Sequence, residues 1–223
     1  MTKRTSRAME QLSLFRRGGT RRGAGRKPKG ERALVAHVVR PRVTRHHPVL
    51  VTSRFRAGLP NLRQERTLVV LRSVLAAGAD RFGFRLVEYS IQTTHLHLLA
   101  EADDETALAR GVQGLLVRVA KALNRTWGRR GRVVADRFHA RVLRTPRAVR
   151  NALVYVLQNA RKHGARIRGI DAFSSGPRFA GWRDRGPRDG RPLPRAVSWL
   201  LDVGWLRGGK IATTEVSARA APA

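Results

Sequence analysis

Residues 82–101 read FGFRLVEYSIQTTHLHLLAE, and this stretch decides the fold. FGFRLVEYSI alternates in the manner of a strand, and THLHLLAE resumes a strand pattern within a few residues. So short a connection leaves no room for a crossover helix, which makes the two strands antiparallel neighbours. Working toward the N-terminus, NLRQERTLVVLRSVLAAGADR (61–81) has helical spacing, with Leu68, Leu71, Val74 and Leu75 on one face, and Gly83 follows as a break. Before it, HPVLVTSRF (47–55) has the β-branched alternation of a strand. Toward the C-terminus, DDETALARGVQGLLVRVAKALNRTWG (103–128) opens with an acidic, Thr-containing cap region and continues as a long amphipathic helix. RRGRVVADRFHARVLR (129–144) is basic and alternating, which fits a strand pair or one bent strand. TPRAVRNALVYVLQNARKHG (145–164) is framed as a helix by Thr145 at the N-cap, Pro146 at the first helical position and Gly164 as terminator. The predicted order is strand, helix, strand, strand, helix, strand, helix: an α+β sandwich of ferredoxin-like type with the helices covering one face of an antiparallel sheet.

The flanks differ in texture. Residues 1–45 carry basic clusters such as RRGGTRRGAGRKPKGER with little apolar periodicity, so a disordered arm able to order on a polyanion is expected. Within it GRKPKG (25–30) is similar to an AT-hook type of minor-groove arm, making Arg26 and Lys27 candidate DNA contacts. Residues 46–164 form the expected core domain. Residues 165–223 form a basic extension rich in Gly, Pro and Arg, with a possible short helix at AVSWLLDVGWL (196–206) and a disordered last dozen residues.

The 223-residue chain holds 46 Lys and Arg against 15 Asp and Glu, a formal charge of +31 that self-repels unless a polyanion neutralises it. Most of the excess is arginine, whose planar fork grips phosphate bidentately and stacks on bases, so nucleic acid is the expected partner. The absence of cysteine excludes disulfides, thiolate metal sites and cysteine nucleophiles. No apolar run approaches a membrane span and MTKRTSRAMEQLSLFRR lacks a signal-peptide core, so a cytoplasmic, nucleoid-associated protein without a membrane partner is expected.

His95-Leu96-His97 sits on a predicted strand, where alternation points both imidazoles to one side and Leu96 to the other. Two neutral imidazoles so placed make half of a metal site, although two ordinary half-buried histidines would give the same pattern. Tyr155 and Asn159 lie four residues apart in the last predicted helix, hence on one face. A tyrosine flanked by Leu153, Val154, Val156 and Leu157 can equally be a packed core ring with a hydrogen-bonded hydroxyl. Among the other histidines, His139 lies in the basic strand beside Arg137 and Arg141, and these three are candidate DNA contacts.

Taken together, residues 88–164 resemble the Y1 transposases of the IS200 type, especially the REP-associated tyrosine transposases of the HUH endonuclease superfamily, and the likeness extends over roughly 47–164. The matching parts are the His95-Leu96-His97 strand, a long helix reaching Asn124, a turn at Gly131 into the basic Arg137-Phe138 strand, and Tyr155 followed after three residues by the amide Asn159. Members usually carry Met-Pro-Asn where this chain has Gln92-Thr93-Thr94, and a proline where it has Ala160. The resemblance implies a central antiparallel sheet flanked by helices, with the tyrosine helix packed across the histidine strand. It implies a divalent ion, Mg²⁺ or Mn²⁺, on His95, His97 and Asn159, with Tyr155 as nucleophile. The implied substrate is single-stranded or hairpin DNA, cleaved and rejoined through a 5′-phosphotyrosine link. Both a monomer and a homodimer are compatible with it. A non-catalytic DNA- or RNA-hairpin binder, such as a domesticated transposase or a nucleoid or ribosome-type protein, explains the charge equally well but leaves the His95/His97/Tyr155/Asn159 set to chance. A 2H-type phosphoesterase would need a second histidine motif, which the sequence lacks.

Overall fold

The computed structural model describes residues 42–162, 167, 169–187 and 193–216. Arg26, Lys27, Gly164 and all of the basic arm before Arg42 lie outside the described residues. The sheet is built from β1 (Val49–Arg54), β2 (Asp80–Arg81), β3 (Phe84–Ile91), β4 (His95–Ala102) and β5 (His139–Val142) in the order β2-β3-β4-β1-β5. Every neighbouring pair is antiparallel. The predicted pairing of residues 82–91 with 94–101 is therefore present, over Phe84–Ile91 and His95–Ala102, and the histidine strand is central. The two-residue strand β2 was not expected from the sequence. It is joined to β3 by Phe82 and Gly83, both in the left-handed region with φ of 51° and 76°. That combination is what a tight two-residue hairpin demands.

The helices are α1 (Glu65–Ala77), α2 (Glu105–Thr126), α3 (Pro146–Leu157), α4 (Asn159–Lys162) and α5 (Trp199–Asp202). Asp104 caps α2 by accepting from the Ala107 amide at 2.7 Å, while Glu105 in the first turn and Arg125 in the last complement the helix dipole. Leu108, Val112, Leu115, Val119 and Leu123 form its buried stripe at three- and four-residue intervals. Gly111 lies directly against Phe84, whose ring a Cβ at that position would overlap, so the missing side chain lets α2 approach β3. With Leu68, Leu71 and Leu75 of α1, this stripe packs onto Val49, Val51, Leu96, Leu98, Ala100 and Ala102.

Helices cover both faces of the sheet, in contrast to the one-sided sandwich expected. The second core gathers Val149, Leu153, Val156 and Leu157 of α3 with Leu99 of β4 and with Phe179, Trp182, Leu200, Leu201, Trp205 and Ile211. All three aromatic residues buried in that set lie after residue 164, so the extension completes a core rather than trailing from one. The physical reason is that Leu99 and its neighbours present a second apolar surface that α3 alone does not seal. Part of the predicted disordered end is likewise docked: Ala212 is buried next to buried Ile211, and Arg150 of α3 forms a bidentate pair with Glu215 at 2.6 and 3.0 Å. Glu101, buried on β4, accepts from the Val197 and Ser198 amides and from the Ser198 hydroxyl, fixing the entry to α5.

Two further boundaries differ from expectation. Of 129–144 only His139–Val142 is regular strand, but Arg56 N–H donates to Val133 O and Ala135 N–H to Arg54 O, both at 2.9 Å. The segment therefore follows β1 as one interrupted strand, with no strand pair. Thr145 caps α3 as expected, accepting from the Ala148 amide at 3.1 Å, yet the helix ends at Leu157. The break falls at Gln158, whose side chain donates to Thr213 O at 2.7 Å and accepts from Arg161 at 3.1 Å.

Candidate active site

The face of β4 that meets α3 carries His95, His97, Leu99 and Glu101 by strand alternation. His97 is 3% exposed and lies between two hydroxyls: Thr52 Oγ of β1 is 3.0 Å from Nδ1, and the Tyr155 hydroxyl of α3 is 3.2 Å from Nε2. The His97 ring stands edge-on to both neighbours, 4.7 Å from His95 and 4.8 Å from Tyr155 between centroids. His95 is half-buried, with its Nδ1 3.4 Å from Thr94 Oγ. The structure thus brings His95, His97 and Tyr155 into one contact group.

Asn159 is the first residue of α4, after the break at Gln158, so it does not share a continuous helix with Tyr155. Its side chain is 1% exposed, and neither the amide oxygen nor the amide nitrogen has a hydrogen-bond partner among the described residues. A buried amide left without partners costs roughly 1–3 kcal/mol, so such a group asks for an explanation. Its neighbour Gln158 is equally buried but fully engaged, as described above. Among the described residues no cluster of three or more His, Asp, Glu or Cys side chains gathers to hold a metal. A cation here would rest on imidazole and amide donors, a neutral set that the orphaned Asn159 amide fits.

The sheet register sorts the candidate DNA contacts. Thr52 lies opposite His97 on one side and His139 on the other, Leu50 lies opposite Arg141, and Arg54 lies opposite His95. Directly opposed residues share a face, so exposed Arg54, His139 and Arg141 border the histidine face. Arg137 belongs elsewhere: with Arg110, Arg132, Phe138 and Val117 it lines a groove of about 910 Å³ between α2 and residues 131–138. Thr52 and Arg54 were not among the residues expected from sequence, because their relevance arises only from strand register.

The chain has two tyrosines. Tyr89 belongs to the opposite face, buried in the α1/α2 core, where desolvation raises its phenol above the ordinary value despite the adjacent Arg72 guanidinium. Tyr155 is the one that meets the histidines.

No protein-family model matches the chain, and no curated protein matches it. Among solved structures, a matching one is described as "Structure of the REP associates tyrosine transposase bound to a REP hairpin". It superposes with a TM-score of 0.53 over 73% of this chain and 99% of the other at 16% sequence identity. At that identity the likeness is one of fold: a five-stranded antiparallel sheet flanked by helices, as in the tyrosine transposase. The described residues contain no helix long and apolar enough to cross a membrane.

Proposed function

We propose that this protein is a metal-dependent single-strand DNA transposase or endonuclease that binds hairpin DNA and cuts and rejoins it through Tyr155. The observation that carries the reading is the 3.2 Å contact between the Tyr155 hydroxyl and His97 Nε2 on an arginine-bordered sheet face. A packed core tyrosine can satisfy its hydroxyl with any nearby carbonyl, whereas a nucleophile needs a group that holds and orients it beside the reacting centre. The fold shared with a transposase solved on a REP hairpin supports the substrate class.

In the proposed reaction the Tyr155 oxygen attacks phosphorus of an unpaired strand. A bond from the Tyr155 oxygen to phosphorus forms and the phenol gives up its proton. The bond from phosphorus to the 3′ oxygen breaks, and that oxygen leaves as a 3′-hydroxyl by taking up one proton, so the step is proton-neutral. The phosphodiester energy is retained in the 5′-phosphotyrosine, so attack by another 3′-hydroxyl rejoins DNA without ATP. Arg54, His139 and Arg141 would track the backbone phosphates, and unpaired bases would stack on arginine planes. His95, His97 and Asn159 would hold a Mg²⁺ or Mn²⁺ ion, which supplies charge against the developing negative phosphate oxygens.

One lone pair serves one partner. Thr52 engages Nδ1 of His97, so an ion held by this ring would be taken through Nε2, the nitrogen that Tyr155 contacts. Nε2 of His97 is thus the nitrogen for which the Tyr155 hydroxyl and a bound ion would compete.

The direct test incubates the protein with a 5′-tailed DNA hairpin in Mg²⁺ or Mn²⁺. A cleaved strand with a free 3′-hydroxyl and a protein-linked 5′ end supports the reading. Hairpin binding with an intact strand under all divalent conditions leaves a binding protein on a transposase fold.

A further inference from the structure

We infer that Thr52 is a positioning residue that fixes the proton of neutral His97 on Nδ1, so that the lone pair of Nε2 faces Tyr155 and the ligand position beside it. The inference rests on the reading of His97 as a ligand. A neutral imidazole carries one N–H, and whichever nitrogen bears it cannot bind a cation. Two arrangements satisfy the distances. In one, His97 Nδ1–H donates to Thr52 Oγ and the Tyr155 hydroxyl donates to Nε2; in the other every donor is reversed, and Nε2 is blocked by its own proton.

The setting selects the first. Thr52 is held directly opposite His97 by the β1/β4 ladder, in the middle of β1, so its backbone position is fixed by pairing on both sides. The β-branched side chain has restricted rotation about its first torsion, and a hydroxyl oxygen accepts from Nδ1 while its own proton remains able to rotate toward another acceptor. A phenol is in general a more acidic hydroxyl than an aliphatic alcohol and so the better donor to an imidazole lone pair. Across β1 from Thr52 stands His139, which is exposed to water, whereas His97 is buried. The hydrogen bond of Thr52 goes to His97. Ligating histidines characteristically donate their other ring N–H to a fixed acceptor, and removing such an acceptor weakens metal binding by about 10- to 100-fold.

Two variants test it. Thr52→Val keeps the shape and strand preference and replaces the hydroxyl by a methyl, and Thr52→Ser restores the hydroxyl. In the full chain with ¹⁵N-histidine, long-range ¹⁵N–¹H correlation reads the His97 tautomer directly, and Mn²⁺ titration without DNA reads ligation. The wild type should show the proton on Nδ1. Thr52→Val should shift the proton toward Nε2 and weaken Mn²⁺ binding by about 10- to 100-fold. Thr52→Ser should recover both. A wild-type His97 protonated on Nε2, or a Thr52→Val protein with unchanged tautomer and unchanged Mn²⁺ affinity, overturns the role of Thr52. A wild type that takes no Mn²⁺ at all, yet shows the tautomer shift when the hydroxyl is removed, upholds the positioning by Thr52 while removing the metal from the proposed function.

Discussion

The two faces of the sheet carry one tyrosine each, and the difference between them shows how a fold sets a site apart from its core. On the α1/α2 face Tyr89 belongs to a core with Leu71, Leu96 and Leu98, and burial raises its phenol. On the α3 face apolar packing around Leu99 gives way, two residue pairs along, to Thr52, His97 and Tyr155 in hydrogen-bond contact. The first face is sealed by two long helices. The second is closed by α3 and a C-terminal segment of short elements, and its open margin is bordered by Arg54, His139 and Arg141.

The contrast can be broken by substitutions at matched depth. His97→Ala should abolish strand cleavage, with hairpin binding largely kept in a gel-shift assay. A variant that still cuts would mean the polar group on this face is ordinary packing. Leu98→Ala, one residue along the same strand and pointing to the other face, should instead cost roughly 2–5 kcal/mol in denaturant unfolding. The cleavage rate of the molecules that remain folded should be unaltered.

Tyr155→Phe removes the hydroxyl that competes for His97 Nε2. If the competition is real, Mn²⁺ should bind more tightly by up to about tenfold, the worth of one hydrogen bond of roughly 0.5–1.5 kcal/mol. Calorimetric titration without DNA would expose the opposite case, a weaker or unchanged affinity. Replacing Arg54 or Arg141 by Ala should lower the salt dependence of single-strand binding by about 0.7 in log-log slope for each phosphate that the side chain neutralises. An unchanged slope for both would separate the DNA path from the histidine face.

The smallest effect is on the seal itself. The hydrogen bond from Arg150 holds the Glu215 carboxyl below its ordinary range. A depressed folded-state value contributes stability that is present above the unfolded value and lost as pH falls through the folded one. Amide protection around Ile211, taken relative to the intrinsic exchange rate at each pH, should therefore fall as pH drops below the usual glutamate range, and Arg150→Ala should remove that dependence. The α1/α2 face should show none of it.

The histidine face was legible in sequence because alternation along one strand is a local rule: His95, Leu96 and His97 need no partner to define their sides. The pairing of β3 with β4 and the Thr145 cap follow from equally local signals. Thr52 and Arg54 were not legible, since only the β1/β4 register sets them beside the histidines. The break after Leu157 carries no local signal such as Gly or Pro, and the Gln158 amide at the break bonds Thr213, far away in the chain. The second core was hidden for a similar reason: Phe179, Trp182 and Trp205 have no shared period, and their common burial appears only once α3 is in place.

The central claim is that Tyr155 is the nucleophile, and the most direct measurement is denaturing electrophoresis of the protein after reaction with an end-labelled hairpin substrate in Mn²⁺, followed by peptide mapping of any labelled species. Wild type should give a covalent DNA–protein adduct mapping to Tyr155, and Tyr155→Phe should fold, bind the hairpin and give neither adduct nor cleaved strand. A Tyr155→Phe protein that still cuts the strand would contradict the account.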